Sequence, residues 1–348
     1  MQIQQQVPLA PLTTFQVGGA ARYYVEARSE QEVCAAVEEA KSRQWPLFVL
    51  GGGSNLVISD SGWPGMVLKV ALDGIVERRH GSQIVFAVAA GEDWDGFVAH
   101  AVERNCAGIE CLSGIPGTVG GTPVQNVGAY GQEVSQTITA VRVFDTASGE
   151  FRELNSADSD FAYRTSIFNT RERGRYIVLR VSFALKPGGA PCIEYADIKH
   201  HFAGRNNPPS LGEVRDAVRA IRLRKAMLIV PGDDDCRSAG SFFKNPIVTP
   251  DVFEQLRSRA TPVPSFPAKD GMVKIAAAWL VEHAGFCKGF TRGSVGISRK
   301  HALAIVNRGG ATAADIVALK NEIQQRVLDN FGIQLVPEPV FVGFDQQP

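Results

Sequence analysis

The sequence predicts an α+β fold in two larger parts, on three observations. Segments with apolar residues at helical spacing, several of them capped, are interspersed with short apolar runs bounded by Gly and Pro that read as strands. No stretch repeats at a fixed period, which sets solenoids and propellers aside. At 348 residues the chain has room for two or three domains, since a domain usually takes about 100–200 residues.

Ser29-Glu30-Gln31-Glu32 is a capping box, and Val33, Ala36, Val37 and Ala40 follow it at helical spacing. A helix is therefore expected over residues 30–43, with Pro46 beyond its end. Residues 46–50 read as a buried strand, 65–70 as another and 84–90 as a third. Residues 94–106 carry Phe97, Val98, Ala101 and Val102 on one face before Gly108, as a capped amphipathic helix does. Strands are expected over 140–145 and 176–185, with Lys186-Pro187-Gly188-Gly189 as punctuation. From Leu211 to Met227, Val214, Ala217, Val218 and Ile221 mark one helix face. Arg215, Arg219, Arg222, Arg224 and Lys225 give the segment a basic character that solvation alone accounts for. Residues 261–267 read as a proline-rich surface loop and 276–283 as a helix ended by Gly285. The final helix has Thr312 and Asp315 as caps, Ile316, Leu319, Ile323 and Val327 on one face, and Gly332 as its stop. The expected division is residues 1–200, themselves split near 70, and residues 201–348.

Lys plus Arg and Asp plus Glu both total 36, so no global field draws nucleic acid or an anionic membrane, and an anion needs a local site. The six cysteines include no C-x-x-C pair and sit in core-like sequence, which fits reduced, mostly buried thiols better than disulfides or a zinc site. No metal is expected. No apolar run approaches the roughly 18 residues of a membrane span, and the first thirty residues lack the pattern of a secretory signal. A cytoplasmic protein without membrane insertion is the expectation.

Two glycine-rich segments carry the functional signal. In VLGGGSNLV, Gly51, Gly52 and Gly53 are followed by Ser54 and Asn55. This is neither the G-x-G-x-x-G fingerprint, whose following helix is replaced by strand-like sequence, nor a P-loop, whose Lys-Ser/Thr pair is missing. Three glycines and a serine can still line up backbone N–H groups in a concave nest that a diphosphate approaches closely, although a tight turn is the plainer reading. The second segment, SGIPGTVGGTPVQNVGAYG over residues 113–131, is too long and too rich in Gly for a simple connection. Together the two point to one extended ligand.

Six stretches, TTFQVGGAARY, VLGGGSNLV, LSGIPGTVGGTPVQNVGAYGQE, FAYRTSIF, AGSFFKNP and VPEPVFVG, occur in order over nearly the whole chain. In these the chain resembles the UDP-N-acetylenolpyruvoylglucosamine reductases, FAD enzymes of peptidoglycan precursor synthesis. The resemblance implies an FAD-binding part of the vanillyl-alcohol-oxidase type followed by an α+β substrate-binding part. It implies that Gly51, Gly52, Gly53, Ser54 and Asn55, with Ser113, Gly114, Pro116, Gly117 and Gly121, contact FAD. A covalent flavin link needs a His, Cys or Tyr at the attachment point, and neither GGGSN nor SGIPGTVGG supplies one, so noncovalent FAD is expected. The implied reaction reduces an enolpyruvyl ether to a lactyl ether with NADPH as reductant, and it needs a cation at the substrate carboxylate and a proton donor at the carbon.

By the same resemblance Arg164 binds and polarises that carboxylate, Ser241 donates the proton and Glu338, between Pro337 and Pro339, helps stabilise the enol. Lys225 and Asn245 contact the sugar-nucleotide diphosphate, and Tyr195 fits the mobile tyrosine loop of the longer class of these enzymes. Each residue also has a plainer reading: a surface salt bridge for Arg164, a backbone turn or cap for Ser241, an ordinary surface carboxylate for Glu338, a solvated charge for Lys225 and surface packing for Tyr195. Arg237-Ser238 stands where the family usually has Gly-Asn before AGSFFKNP, which puts the local loop geometry in doubt. Residues 288–292 also depart from the family's pattern, leaving nucleotide contacts there open. A monomer is expected. The rival readings are a flavin-linked alcohol oxidase or dehydrogenase of the same fold, and a nucleotide-binding regulatory module without catalysis.

Overall fold

The structure, a computed structural model, describes residues 1–259, 262–346 and 348. The chain forms two compact units: Met1–Val7, Ala21–Gly53 and Pro64–Leu228 make the first, and Pro8–Ala20, Ser54–Trp63 and Ile229–Pro348 the second. The expected boundary near residue 200 falls inside the first unit, so the basic helix at Leu211–Arg224 belongs with it.

In the first unit, α1 (Glu30–Ser42) starts where the Ser29 side chain accepts from Glu32 N, and it buries Val33, Ala36, Val37 and Ala40. It packs in one core with a sheet of order Gln4–Pro8, Ala20–Ala27, Trp63–Val70, Leu47–Leu50. The last pair runs parallel, with Leu47 opposite Met66 and Leu50 opposite Lys69. Leu50 thus delivers the chain to Gly51 at a strand's carboxyl end, a usual place for a ligand loop in α/β sheets. The second sheet is antiparallel: Glu150–Asn155, Ile138–Asp145, Tyr176–Pro187, Gln83–Ala89, Ile75–His80. Against it lies α2 (Trp94–Glu103), whose N-cap Asp93 accepts from Gly96 N. The rings of Phe86, Trp94, Phe97 and Phe183 pack together there, with centroids 5.1–5.9 Å apart. Trp94 Nε1 donates to Leu112 O at 3.0 Å, tying the aromatic cluster to the start of the second glycine segment. Two further helices complete the unit, α3 (Ala196–His201) and α4 (Leu211–Arg224), the latter opened by a Ser210–Glu213 capping box.

The second unit has two three-stranded sheets, Ile247–Val248, Val273–Ile275, Ser265–Pro267 and Thr291–Arg292, Val295–Ile297, Ile305–Asn307, in those orders. A parallel pair joins Leu56–Ile58 to Val340–Val342. Its helices are α5 (Pro250–Arg259), α6 (Ala277–His283) and α7 (Ala313–Phe331). The Thr312–Asp315 capping box and a left-handed Gly332 (φ 69°) bound α7 as the sequence indicates, and its first N–H groups also donate to Asp60. Within the expected loop at 261–267, Thr261 lies outside the described residues, while Ser265–Pro267 pairs as a strand with Val273–Ile275. Among the described residues no helix is long and apolar enough to cross a membrane. Cys106, Cys111 and Cys236 are buried, Cys34 and Cys192 half-buried, and Cys287 exposed.

Candidate active site

The two glycine segments meet within the first unit, backbone to backbone. A Cβ placed on Gly52 would run into Gly117 Cα, and would lie 2.8 Å from Gly117 C and 2.9 Å from Thr118 N. The first reason for glycine at 52 is therefore the other loop, not a ligand. At Gly51 a Cβ meets only Thr118 Oγ1, at 3.0 Å, and at Gly121 it meets nothing within 4 Å. Gly120 is the sterically obligatory neighbour, because its Cβ would strike Ala90 Cβ at 2.6 Å. The second loop is fastened to the turn before α2: Trp94 N donates to Gly117 O, Val119 N to Glu92 O and Gly120 N to Ala90 O. Among the described residues no protein acceptor takes the N–H of Gly52, Gly53 or Thr118, and the buried Thr118 Oγ1 has no partner. Unfilled donors on two apposed glycine loops are what a diphosphate needs, so these residues fit the pyrophosphate of FAD. Beneath the first loop, Lys69 Nζ donates to Gly51 O. Burial holds this ammonium below its usual range.

Other groups lock the same loop. Ser113 is fully buried and its hydroxyl donates to Glu110 O at 2.6 Å. Gly114 N donates to Asp95 Oδ1 at 2.6 Å, and Gly114 O accepts from Arg222 Nε at 3.0 Å. Both polar groups of the Gly114 residue are thereby committed to the protein. Arg215 and Arg219 pair with Asp95, and Arg222 is 8% exposed, so the basic face of α4 is largely a clamp on the glycine loop. This corrects the solvated reading of that helix.

Arg164 sits at the tip of a tight turn closed by two hydrogen bonds between Ala162 and Thr165, with φ at +57°. A non-glycine residue in this region is strained, and such strain clusters at functional sites. Arg164 Nη2 donates to Gly128 O at 2.9 Å, so the guanidinium lies on the second glycine segment. Asn169 Nδ2 donates to Arg164 O, and Asn126 Nδ2 to Ala162 O, which pin the turn.

Tyr195 and Lys225 are also brought together in this unit. Tyr195 is the N-cap residue of α3, and its ring packs edge-to-face on Tyr130 with centroids 5.3 Å apart. Lys225 closes α4 and its Nζ donates to Asp197 Oδ2 at 2.5 Å. Burial disfavours the ammonium, but the Asp197 carboxylate outweighs it and raises the Lys225 pKa.

In the second unit the segment carrying Ser241 is bonded on both sides. Phe242 N donates to Leu303 O, and Glu338 N donates to Phe242 O, both at 2.8 Å. Lys244 N donates to Val336 O and Phe243 bridges Pro337. This ladder puts Ser241 and Glu338, 97 residues apart in sequence, on adjoining extended segments. Ser241 Oγ lies 3.2 Å from His301 Nε2. Asn245 Oδ1 accepts from Ala277 N at 2.9 Å and so caps α6, which leaves Nδ2 as the donor of that amide. Ser54 and Asn55 belong to this unit: Thr14 Oγ1 donates to Ser54 O, and Asn55 Nδ2 to Glu338 O.

Arg237-Ser238 is tied into the unit by hydrogen bonds. Ser238 Oγ accepts from Gly240 N at 3.3 Å, Ser238 O accepts from Thr14 Oγ1 at 2.6 Å, and Arg237 O accepts from Asn307 N at 2.9 Å. Sequence reasoning missed Lys69, Arg222 and His301 as site-building residues. A lysine inside the otherwise apolar strand Met66–Val70 was a legible signal for the first. His301 approaches Ser241 only through the fold, 60 residues away.

Comparison with known proteins identifies the family. The model of the FAD binding domain matches residues 21–155, and that of the UDP-N-acetylenolpyruvoylglucosamine reductase C-terminal domain matches residues 231–342. The chain is 46% identical to the UDP-N-acetylenolpyruvoylglucosamine reductase of Thermobifida fusca, with 97% of each chain covered. It is 48% identical to that of Streptomyces coelicolor, covering 97% of this chain and 89% of the other. The crystal structure of the enzyme from Thermus caldophilus superposes with a TM-score of 0.67 at 26% identity, over 98% of this chain and 99% of that one. The chain belongs to the UDP-N-acetylenolpyruvoylglucosamine reductase family and is an FAD-dependent oxidoreductase.

Proposed function

We propose that the protein reduces the enolpyruvyl ether of UDP-N-acetylglucosamine to UDP-N-acetylmuramate in peptidoglycan precursor synthesis, as a cytoplasmic monomer with NADPH as reductant. The observation that supports this reading best is that the segment of Ser241 and the segment of Glu338 pair directly, with Phe243 opposite Pro337 and Glu338 N donating to Phe242 O, so a hydroxyl for protonation and a carboxylate to stabilise the enol come from adjacent positions of one ladder. The first unit serves FAD, through Gly51, Gly52 and Gly53 and through Pro116, Gly117 and Gly121, while Ser113 and Gly114, whose polar groups are bonded within the protein, hold the second loop in place for it. Ser54 and Asn55 continue the first of these loops. FAD is held without a covalent link and, when bound, supplies a hydride acceptor and donor.

The residues then divide the remaining work. Arg164 offers a planar fork of donors to the substrate carboxylate and stabilises the negative charge that grows there. Ser241 Oγ gives its proton to the carbon next to that carboxylate. Glu338 stabilises the enol form. Lys225 and Asn245 Nδ2 hold the diphosphate, and Tyr195 closes over the sugar nucleotide. An alcohol oxidase needs no such set of cation, hydroxyl and carboxylate, which favours the reductase.

Arg164→Lys tests the reading. Lysine keeps the charge and occupies the same left-handed position at similar strain, but loses the fork. Turnover of the enolpyruvyl substrate is expected to fall about 10- to 150-fold, from a loss near 1.5–3 kcal/mol typical of hydrogen bonds to charged groups. Flavin reduction by NADPH is expected to persist. Equal losses in both half-reactions would overturn the carboxylate role.

A further inference from the structure

We infer that His301 is a positioning residue that holds the Ser241 hydroxyl and re-supplies its proton; the inference rests on the reading of Ser241 as proton donor. The evidence is geometric. Ser241 Oγ and His301 Nε2 are 3.2 Å apart, and the segments bearing them are fixed to one another by the Phe242 N to Leu303 O bond. His301 is further held in a tight turn, in which Ala304 N donates to His301 O and Ser298 N to Ala304 O. Both side chains are half-buried, so water competes incompletely for the hydroxyl.

A serine hydroxyl can donate one hydrogen and accept two. If Nε2–H donates to Oγ, the serine proton is left to point at substrate. If the serine donates to Nε2 instead, the proton is aimed away from the carbon it must reach. The first arrangement also solves a chemical problem, because a serine that surrenders its proton becomes an alkoxide, a strong base that needs prompt reprotonation. In the step, Oγ–H breaks as C–H forms, and Nε2–H breaks as a new Oγ–H forms. The imidazolium becomes neutral imidazole and takes a proton from water, and no electrons move in this transfer.

Charged groups surround this pair on several segments. Arg299 and Lys300 precede His301, paired with Asp234 and Asp235 and with Asp233 respectively, on the turn before Ser241. Glu338 and Lys244 lie on the segments that run beside Ser241. Histidine changes charge near neutral pH. The proton-delivery step is therefore expected to slow as pH rises through the imidazole's own titration.

The experiment uses FAD-loaded protein, reduced beforehand and mixed anaerobically with the UDP-N-acetylglucosamine enolpyruvyl ether across a pH series. Alongside it, nitrogen-15 histidine NMR of the oxidised wild type and Ser241→Ala reports the His301 ring. His301→Gln is expected to slow reoxidation about 10- to 100-fold, below the range of roughly 100- to 10,000-fold for a direct donor, and to flatten its pH dependence. Flavin content and reduction by NADPH should be unchanged. The wild-type kinetic midpoint should coincide with the His301 NMR midpoint, and Ser241→Ala should shift the Nε2 resonance. Adding His301→Gln to Ser241→Ala should cost nothing further. If Ser241→Ala leaves reoxidation intact, the reading of Ser241 fails. If Ser241→Ala slows the step but His301→Gln does not, or if the two midpoints differ or the Nε2 signal is insensitive to Ser241, the inference about His301 alone is overturned.

Discussion

Ser241→Ala is expected to be bleached by NADPH at the wild-type rate and then to remain reduced when the enolpyruvyl substrate is added. The variant removes one hydroxyl from a segment held by backbone bonds on both sides, so the fold of the second unit should survive: the Phe242 and Glu338 bonds use main-chain atoms only. Binding of the sugar nucleotide should change little, since one neutral hydrogen bond contributes about 1 kcal/mol. Reoxidation should drop by at least the roughly 100- to 10,000-fold that a positioned acid supplies. Stopped-flow absorbance on enzyme reduced beforehand isolates this step. Reoxidation within a few-fold of wild type would remove Ser241 from the donor role and shift it to Glu338 or a water that Glu338 holds.

Gly52→Val should yield protein that binds FAD more weakly and purifies with less flavin than wild type. The branch cannot be accommodated where a single Cβ already meets the Gly117 main chain, and main chain does not rotate away as a side chain does. The two loops must part, which separates the N–H groups of Gly52, Gly53 and Thr118 from one another. Overpacking of this kind costs about 1–3 kcal/mol, or roughly a 5- to 150-fold weaker Kd for FAD at 1.4 kcal/mol per decade. Gly51→Ala is the control, because its methyl meets only the partnerless Thr118 hydroxyl, which can turn aside. Fluorescence titration of deflavinated protein with FAD compares the two; equal affinity in Gly52→Val and wild type would show that the loops do not act together.

The helices were legible because their information is local. Ser29, Thr312 and Gly332 act at their own helix ends, and the apolar faces of α1 and α7 are those the spacing marks. The glycine loops were legible as unusual but not in their physical reason: the contact of Gly52 with Gly117 joins segments 65 residues apart. The basic helix misled for a similar cause. Arg222 looks like its solvated neighbours in sequence, and only the fold buries it against Gly114 O. The division into units was equally non-local, since Pro8–Ala20 and Ser54–Trp63 join the C-terminal half. Of the residues assigned by resemblance, Ser241 and Glu338 lie on paired segments of one unit, and Arg164, Tyr195 and Lys225 are placed in the other.

The most direct measurement is the visible spectrum of the purified protein through one full cycle. Flavin bands should be present, should bleach with one equivalent of NADPH under anaerobic conditions, and should return on addition of one equivalent of the UDP-N-acetylglucosamine enolpyruvyl ether. Colourless protein that cannot be reconstituted with FAD, or a bleached flavin that oxygen restores but this substrate does not, would contradict the assignment.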